Sequence, residues 1–259
     1  MPYAFVQSTR LWYEQQGNGP AILLIHGFPL DSRIWDDVVP LISDRLKVIT
    51  LDLRGFGKSD PSGDFTMRQL ALDVAGFLIL QKLAPCCVAG LSMGGYVAQE
   101  LASERPDLIS HMILLDTKSE ADDTEAKNKR NAMAKLALEQ GAKAVADAMM
   151  PNMLALRPVP EVADKLRQIM ESQRPETLAS ACIAMRDREN YLPTLEKLSF
   201  PVDIIVGEED RISSPELMEF IHQKVNYGRM FKIPQAGHLS PMENPQAVAT
   251  AILKATENL

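Results

Sequence analysis

Ser92 is the residue with the most chemistry to do. It stands in Gly90-Leu91-Ser92-Met93-Gly94, with glycine two places before it and two after. The apolar stretch Cys86-Cys87-Val88-Ala89 ahead of it reads as a short buried strand. Gly95-Tyr96-Val97-Ala98-Gln99-Glu100-Leu101-Ala102 behind it reads as a helix. A strand that passes straight into a helix must turn within about one residue, and only small neighbours tolerate that crowding. The turn lifts the serine hydroxyl off the sheet and sets the first helical N–H groups beside it. A serine hydroxyl is a poor nucleophile until a base takes its proton, so Ser92 needs a histidine. The chain has 4. His238 follows the strand-like run Arg229-Met230-Phe231-Lys232-Ile233 and precedes the last helix, on a loop that reaches the same sheet edge as Ser92. His222 falls inside a helix, His111 precedes a strand at the wrong end of the sheet, and His26 is expected to brace the loop after its strand.

An imidazole acting as base needs a carboxylate to fix its tautomer and stabilise its protonated form. Asp210, in Gly207-Glu208-Glu209-Asp210-Arg211 after another apolar run, is the first candidate. The chain order Ser92, Asp210, His238 fits the serine–acid–base order of a strand–turn–helix nucleophile. Asp116, ending the preceding strand, competes with it, as do Glu208 and Glu209 at a shift of one or two residues. Attack on a carbonyl creates an oxyanion that needs two fixed donors. The Met93 N–H at the helix start and the Phe28 N–H in His26-Gly27-Phe28-Pro29 are the expected pair. No metal-ligand spacing occurs and no Gly-x-Gly-x-x-Gly follows a strand, so no cofactor and no metal are expected.

The elements that must hold these residues are legible as apolar runs. Ala21–Ile25, Lys47–Leu51, Cys86–Gly90, Met112–Leu115 and Val202–Val206 are short and end in turn residues. Runs of this kind, separated by helical stretches, mark strands buried on both faces of a parallel sheet. The helices expected between and after them are Asp31–Ser43, Met67–Leu83, Gly95–Arg105, Pro215–Lys224 and Pro245–Lys254. A hairpin arm is expected over Tyr3–Gln15. One interval breaks the rhythm: about eighty residues separate Asp116 from Val202, far more than a crossover needs. The expectation is a core of residues 1–117 and 196–259, with residues 118–195 inserted as a helical cap over the sheet's C-terminal edge, where open α/β sheets bind ligands.

With 46% hydrophobic and 24% charged residues, a disordered or fibrous chain is excluded. A net charge of −7 argues against nucleic acid as a partner. No run approaches the roughly 18 apolar residues of a membrane span, and the N-terminal residues lack the pattern of a signal peptide. The 3 cysteines form neither a disulfide framework nor a metal quartet and read as small core residues in a reducing cytoplasm. Nothing in the composition sets an oligomeric state.

His26-Gly27-Phe28-Pro29, Asp52-Leu53-Arg54-Gly55-Phe56-Gly57-Lys58-Ser59, Gly90–Gly95, Gly207–Asp210 and Gly237-His238 together resemble the α/β-hydrolase family over nearly the whole chain. Gly90–Tyr96 followed by Leu114-Leu115-Asp116-Thr117 is similar to the 3-oxoadipate enol-lactone hydrolases and related small carboxylesterases. The resemblance implies a mostly parallel sheet flanked by helices. It also implies cleavage of small-molecule carboxylic esters or lactones through an acyl-enzyme, with Asp52–Ser59 as a structural turn. Serine at position 92 departs from the dehalogenases and epoxide hydrolases, which carry aspartate there. A ligand sensor with slow turnover, or carbon–carbon cleavage or perhydrolysis on the same triad, are the other readings. In the cap, Met149 and Met153 are candidate pocket residues, since flexible thioethers suit an adaptable apolar wall. Ala126-Lys127-Asn128-Lys129-Arg130 reads first as a solvated basic face and second as an anion contact.

Overall fold

A computed structural model describes residues 2–257; Met1, Asn258 and Leu259, at the ends of the expected core, lie outside them. Among the described residues one sheet contains β1 (Tyr3–Val6), β2 (Thr9–Gln16), β3 (Ala21–Ile25), β4 (Lys47–Leu51), β5 (Cys86–Leu91), β6 (Ile109–Leu115), β7 (Val202–Gly207) and β8 (Met230–Ile233). Their spatial order is β1-β2-β4-β3-β5-β6-β7-β8. The pairs β1/β2 and β2/β4 are antiparallel, and every pair from β3/β4 onward is parallel. The hairpin arm turns at Gln7-Ser8, with Gln7 at φ 52°.

Successive strand residues feed opposite faces, which explains the continuous apolar runs. Leu23, Ile25, Val88 and Leu114 enter one core, and Ile22, Leu24, Ala89 and Leu115 enter the other. Each of the leucine, isoleucine and valine side chains among them contributes about 1.5–3 kcal/mol on leaving water. Cys86 and Cys87 divide between the two cores in the same way, and both are free thiols, as is Cys182. Burial pushes the Cys86 and Cys182 thiols up to about 12, so they are packing residues rather than nucleophiles.

Helices cover both faces. After β3, the expected helix Asp31–Ser43 is instead a 3₁₀ turn, Ser32–Trp35, and a short α1, Val39–Ile42. Pro40 has no N–H to donate back to Asp36, so a continuous helix cannot run through it. On the opposite face, α2 (Met67–Leu80) is capped by Thr66 Oγ1, which accepts from Gln69 N at 3.1 Å. The next helix, α3 (Met93–Glu104), begins directly after Ser92, two residues earlier than expected.

The interval between β6 and β7 is helical: α4 (Thr124–Met153), α5 (Pro160–Glu171), α6 (Pro175–Arg186) and α7 (Leu192–Leu195). Gly141, at φ 80° and ψ −179°, breaks α4 into two segments, a conformation open mainly to glycine. The two longer partners, α5 and α6, pack on α4, while α7 packs on α3. Hydrogen bonds tie this insertion to the core. Gln173 accepts from Gly57 N and donates to Asp31 Oδ2, and Arg174 and Thr177 both donate to Gly55 O. The Asp52–Ser59 segment is thus a braced turn: the Asp52 carboxylate accepts from Ser32 N and Lys58 N, each at 2.8 Å. The chain closes with α8 (Pro215–His222), α9 (Ser240–Glu243) and α10 (Pro245–Ala255). Among the described residues no helix is long and apolar enough to cross a membrane.

Candidate active site

The end of β5 shows why glycine flanks Ser92. A Cβ on Gly90 would strike Gly94 O, and a Cβ on Gly94 would strike Ile25 O. Ser92 itself sits at φ 52°, ψ −114°, a strained conformation for a residue with a Cβ, costing about 1–3 kcal/mol. Two hydrogen bonds hold it there: Ser92 N donates to Leu115 O at 2.9 Å, and Thr117 Oγ1 donates to Ser92 O at 2.7 Å. The side chain of this residue remains half-exposed where its neighbours in β5 and α3 are buried.

His238 reaches Ser92 from the loop after β8. Its Nε2 lies 2.9 Å from Ser92 Oγ, and its Nδ1 lies 2.9 Å from Asp210 Oδ2. Both His238 and Asp210 are almost fully buried. In the neutral tautomer that suits this chain, Ser92 O–H donates to Nε2 and Nδ1–H donates to Asp210. Asp210 also accepts from Ile212 N at 2.7 Å, Ser213 N at 3.1 Å and Ser213 Oγ at 2.6 Å. Burial disfavours its charge, but His238 and these donors outweigh that and hold the carboxyl below its ordinary range.

The rival acids are engaged elsewhere. Asp116 is fully buried, accepting from Gly207 N at 2.7 Å and from Ser240 Oγ. Burial, and then the nearby Asp210, push its carboxyl well above the ordinary range. Glu209 accepts from Leu156 N, and Glu208 is exposed. The other histidines keep apart from Ser92. His26 Nδ1 lies 2.8 Å from Gly27 O and its Nε2 accepts from Leu53 N, bracing two loops. His111 pairs with Asp203 within the sheet, and His222 contacts Gly228 O.

The two expected oxyanion donors border this chain. Met93 is the first residue of α3, and Phe28 follows Gly27, where a Cβ would lie only 3.1 Å from Ser92 Cβ. Neither backbone N–H donates to another backbone group among the described residues. Beside Phe28 opens a cavity of about 380 Å³ with Met149 and Met133 in its wall. Met153 does not line this cavity; it is fully buried in the cluster that also holds Leu154 and Ala236.

Three contributors carried no sequence signal of their own: Ser213 on Asp210, Thr117 on Ser92, and Glu243. The last accepts from Gly237 N at 2.8 Å and from Ala155 N at 2.7 Å, fastening the His238 loop to the segment after α4. Burial raises the Glu243 carboxyl despite these donors.

A strand–turn–helix serine at the C-terminal edge of a mostly parallel sheet, hydrogen-bonded to a histidine from a later loop, defines the class. Residues 20–245 match the α/β hydrolase fold family, and the chain belongs to it. Among solved structures it is similar to a thermophilic esterase from Thermogutta terrifontis, with 38% identity, 95% of this chain and 92% of the other covered, and a TM-score of 0.92. It is also similar to the enol-lactonase from Burkholderia xenovorans LB400, at 28% identity, 99% and 100% coverage and a TM-score of 0.91. By sequence, 3-oxoadipate enol-lactonase 2 from Acinetobacter baylyi is 27% identical over 241 residues, 92% of this chain and 88% of that protein.

Proposed function

We propose that this protein is a serine hydrolase that cleaves small carboxylic esters or lactones through an acyl-enzyme. The observation that carries the reading is the continuous hydrogen-bonded chain Ser92–His238–Asp210, with 2.9 Å at each of the two histidine contacts. Ser92 Oγ attacks the carbonyl carbon as His238 Nε2 takes its proton. Asp210 keeps Nδ1 protonated and stabilises the imidazolium. The carbonyl π electrons move onto oxygen, and the Met93 and Phe28 amides receive that oxyanion. Collapse expels the alkoxide, to which His238 returns the proton. In a lactone the leaving oxygen stays attached to the acyl chain. Water, deprotonated by His238, then attacks the acyl carbon and releases Ser92 with the carboxylic acid.

In this reading residues 118–195 form the cap that shapes the acyl pocket, with Met149 in its wall. The esterase and enol-lactonase relatives support the ester or lactone class. A panel of p-nitrophenyl esters of graded chain length, with lactones alongside, tests it. Steady multiple turnover of a short ester or a lactone is expected. Turnover only with hydrogen peroxide or a diketone, or one burst leaving a stable adduct, would replace the reading with perhydrolysis, carbon–carbon cleavage or ligand sensing.

A further inference from the structure

The carboxylate of Glu243 is shared between two backbone amides from distant parts of the chain. Its Oε2 accepts from Gly237 N at 2.8 Å, one residue before His238, and its Oε1 accepts from Ala155 N at 2.7 Å, just after α4. The two segments it joins are in direct backbone contact: a Cβ on Gly237 would lie 2.5 Å from both Ala155 N and Leu154 C. Residues flanking Asp210 bind the same cap stretch. Glu209 Oε2 accepts from Leu156 N at 2.9 Å, and Arg211 Nη2 donates to Pro151 O at 2.7 Å and to Leu154 O at 3.1 Å. The acid and base loops also touch, Glu209 N donating to Ala236 O at 2.9 Å. Residues 151–156 are thus held at once by the neighbours of Asp210 and by the support of His238.

This bracing bears on the chemistry. Misplacing a reacting group by about 1 Å can cost 10²-fold in rate, and His238 has to meet Ser92 and Asp210 together, at 2.9 Å each. Gly237, directly before the imidazole, has no side chain to pack and is the least constrained kind of residue, so the backbone there needs an outside anchor. Glu243, the last residue of α9, supplies one.

We infer that Glu243 is a positioning residue for His238, with the cap segment Leu154–Ala155 as its second anchor, so that the chemical step depends on a seated cap. The inference rests on Ser92, His238 and Asp210 as the triad. An amide cannot replace this carboxylate. Both oxygens accept, so Glu243→Gln sets an NH2 group against the N–H of Gly237 or of Ala155.

The test combines kinetics on a short p-nitrophenyl ester with the downfield proton resonance of His238 Nδ1–H, identified by its absence in His238→Ala. In Glu243→Gln kcat should fall at least tenfold with KM within threefold, and exchange of the Nδ1 proton with solvent should quicken at least tenfold. A purely structural loss would lower Tm and leave both unmoved in the folded protein. Arg211→Gln alters an exposed side chain whose hydrogen bonds go to the cap segment. It should lower kcat at least threefold with the same quickened exchange, and it decides the inference if Glu243→Gln fails to fold. An unmoved kcat or an unmoved exchange rate in either folded variant overturns it, as does a native Nδ1 proton that gives no resonance. If no ester is turned over, the catalytic reading fails separately, and the exchange rates alone decide whether Glu243 holds His238.

Discussion

Ser92 Oγ and His238 Nε2 stand 2.9 Å apart across 146 residues of sequence, brought together by the strand–helix turn after β5 and the loop after β8. Neither element could hold this distance alone. Parallel pairing brings both strand ends to one edge of the sheet, Leu115 at the end of β6 and Thr117 just after it fix Ser92, and Glu243 fixes the histidine loop.

The two buried aspartates beside this pair should behave differently. Asp210→Asn is expected to lower kcat for ester hydrolysis by about 10⁴, because an asparagine amide favours the wrong imidazole tautomer. Asp116→Asn leaves the His238–Asp210 bond in place and should cost less than tenfold. Steady-state kinetics on both variants checks the ranking; the reverse order would move the acid to the end of β6.

Asp116 also makes a prediction about stability. Its folded pKa is raised, so the folded state holds this proton more tightly than the unfolded chain. The stability that comes from the protonated form is complete below the unfolded pKa, near 4, and is lost as pH rises toward the folded value. Asparagine mimics the neutral acid and can still accept from Gly207 N and donate to Ser240 Oγ. Asp116→Asn should therefore raise Tm at pH 8 by about 2–4 °C, corresponding to ~1 kcal/mol for a domain of this size, with the gain vanishing below pH 4. Thermal melts across that range decide it, and a gain confined to acid pH would contradict the assignment.

Two cap methionines should separate by position. Met149 lines the cavity beside Phe28, so Met149→Ala is expected to shift the preferred acyl length, each methylene of fit being worth roughly 1–3 kcal/mol. Met153 is fully buried in the core, so Met153→Ala should cost about 2–5 kcal/mol of stability with acyl preference unmoved. Chain-length profiles and urea unfolding on the two variants check both halves. A moved profile in Met153→Ala, or an unmoved one in Met149→Ala, would redraw the pocket.

Ser213 contributes two hydrogen bonds to Asp210, one from its amide and one from its hydroxyl. Removing the hydroxyl in Ser213→Ala takes away a donor that keeps the carboxylate charged. Ser213→Ala should lower kcat less than tenfold in steady-state kinetics, because Ile212 N, Ser213 N and His238 still hold the carboxylate. A loss near that expected of Asp210→Asn would show that the hydroxyl is the donor on which Asp210 depends.

The residues of the proposed triad were legible because each follows an apolar strand and sits among turn residues: Gly90–Gly94 around Ser92, Gly207 before Asp210, Gly237 before His238. The strands were legible for the same reason, since burial on both faces leaves unbroken apolar runs. What stayed hidden depends on partners distant in sequence. Thr117 next to Asp116, Ser213 after Asp210 and Glu243 in the last loop look like ordinary polar residues until the sheet assembles. Arg130 stood within a basic run whose exposed members, Lys127 and Lys129, match a solvated face; only the fold sets Arg130 apart beside Asp122. The misjudged helix at Asp31–Ser43 has a local cause, because its apolar spacing suits a helix while Pro40 forbids one.

The most direct test of the central claim is to trap the acyl-enzyme. The protein is mixed with a short-chain p-nitrophenyl ester, quenched in acid during turnover, and analysed by intact mass and peptide mapping. The account predicts one acyl group per chain, on the peptide containing Ser92, absent from Ser92→Ala, with kcat of that variant reduced by at least 10³. Undiminished turnover in Ser92→Ala, or an acyl group mapped to any other residue, would contradict it.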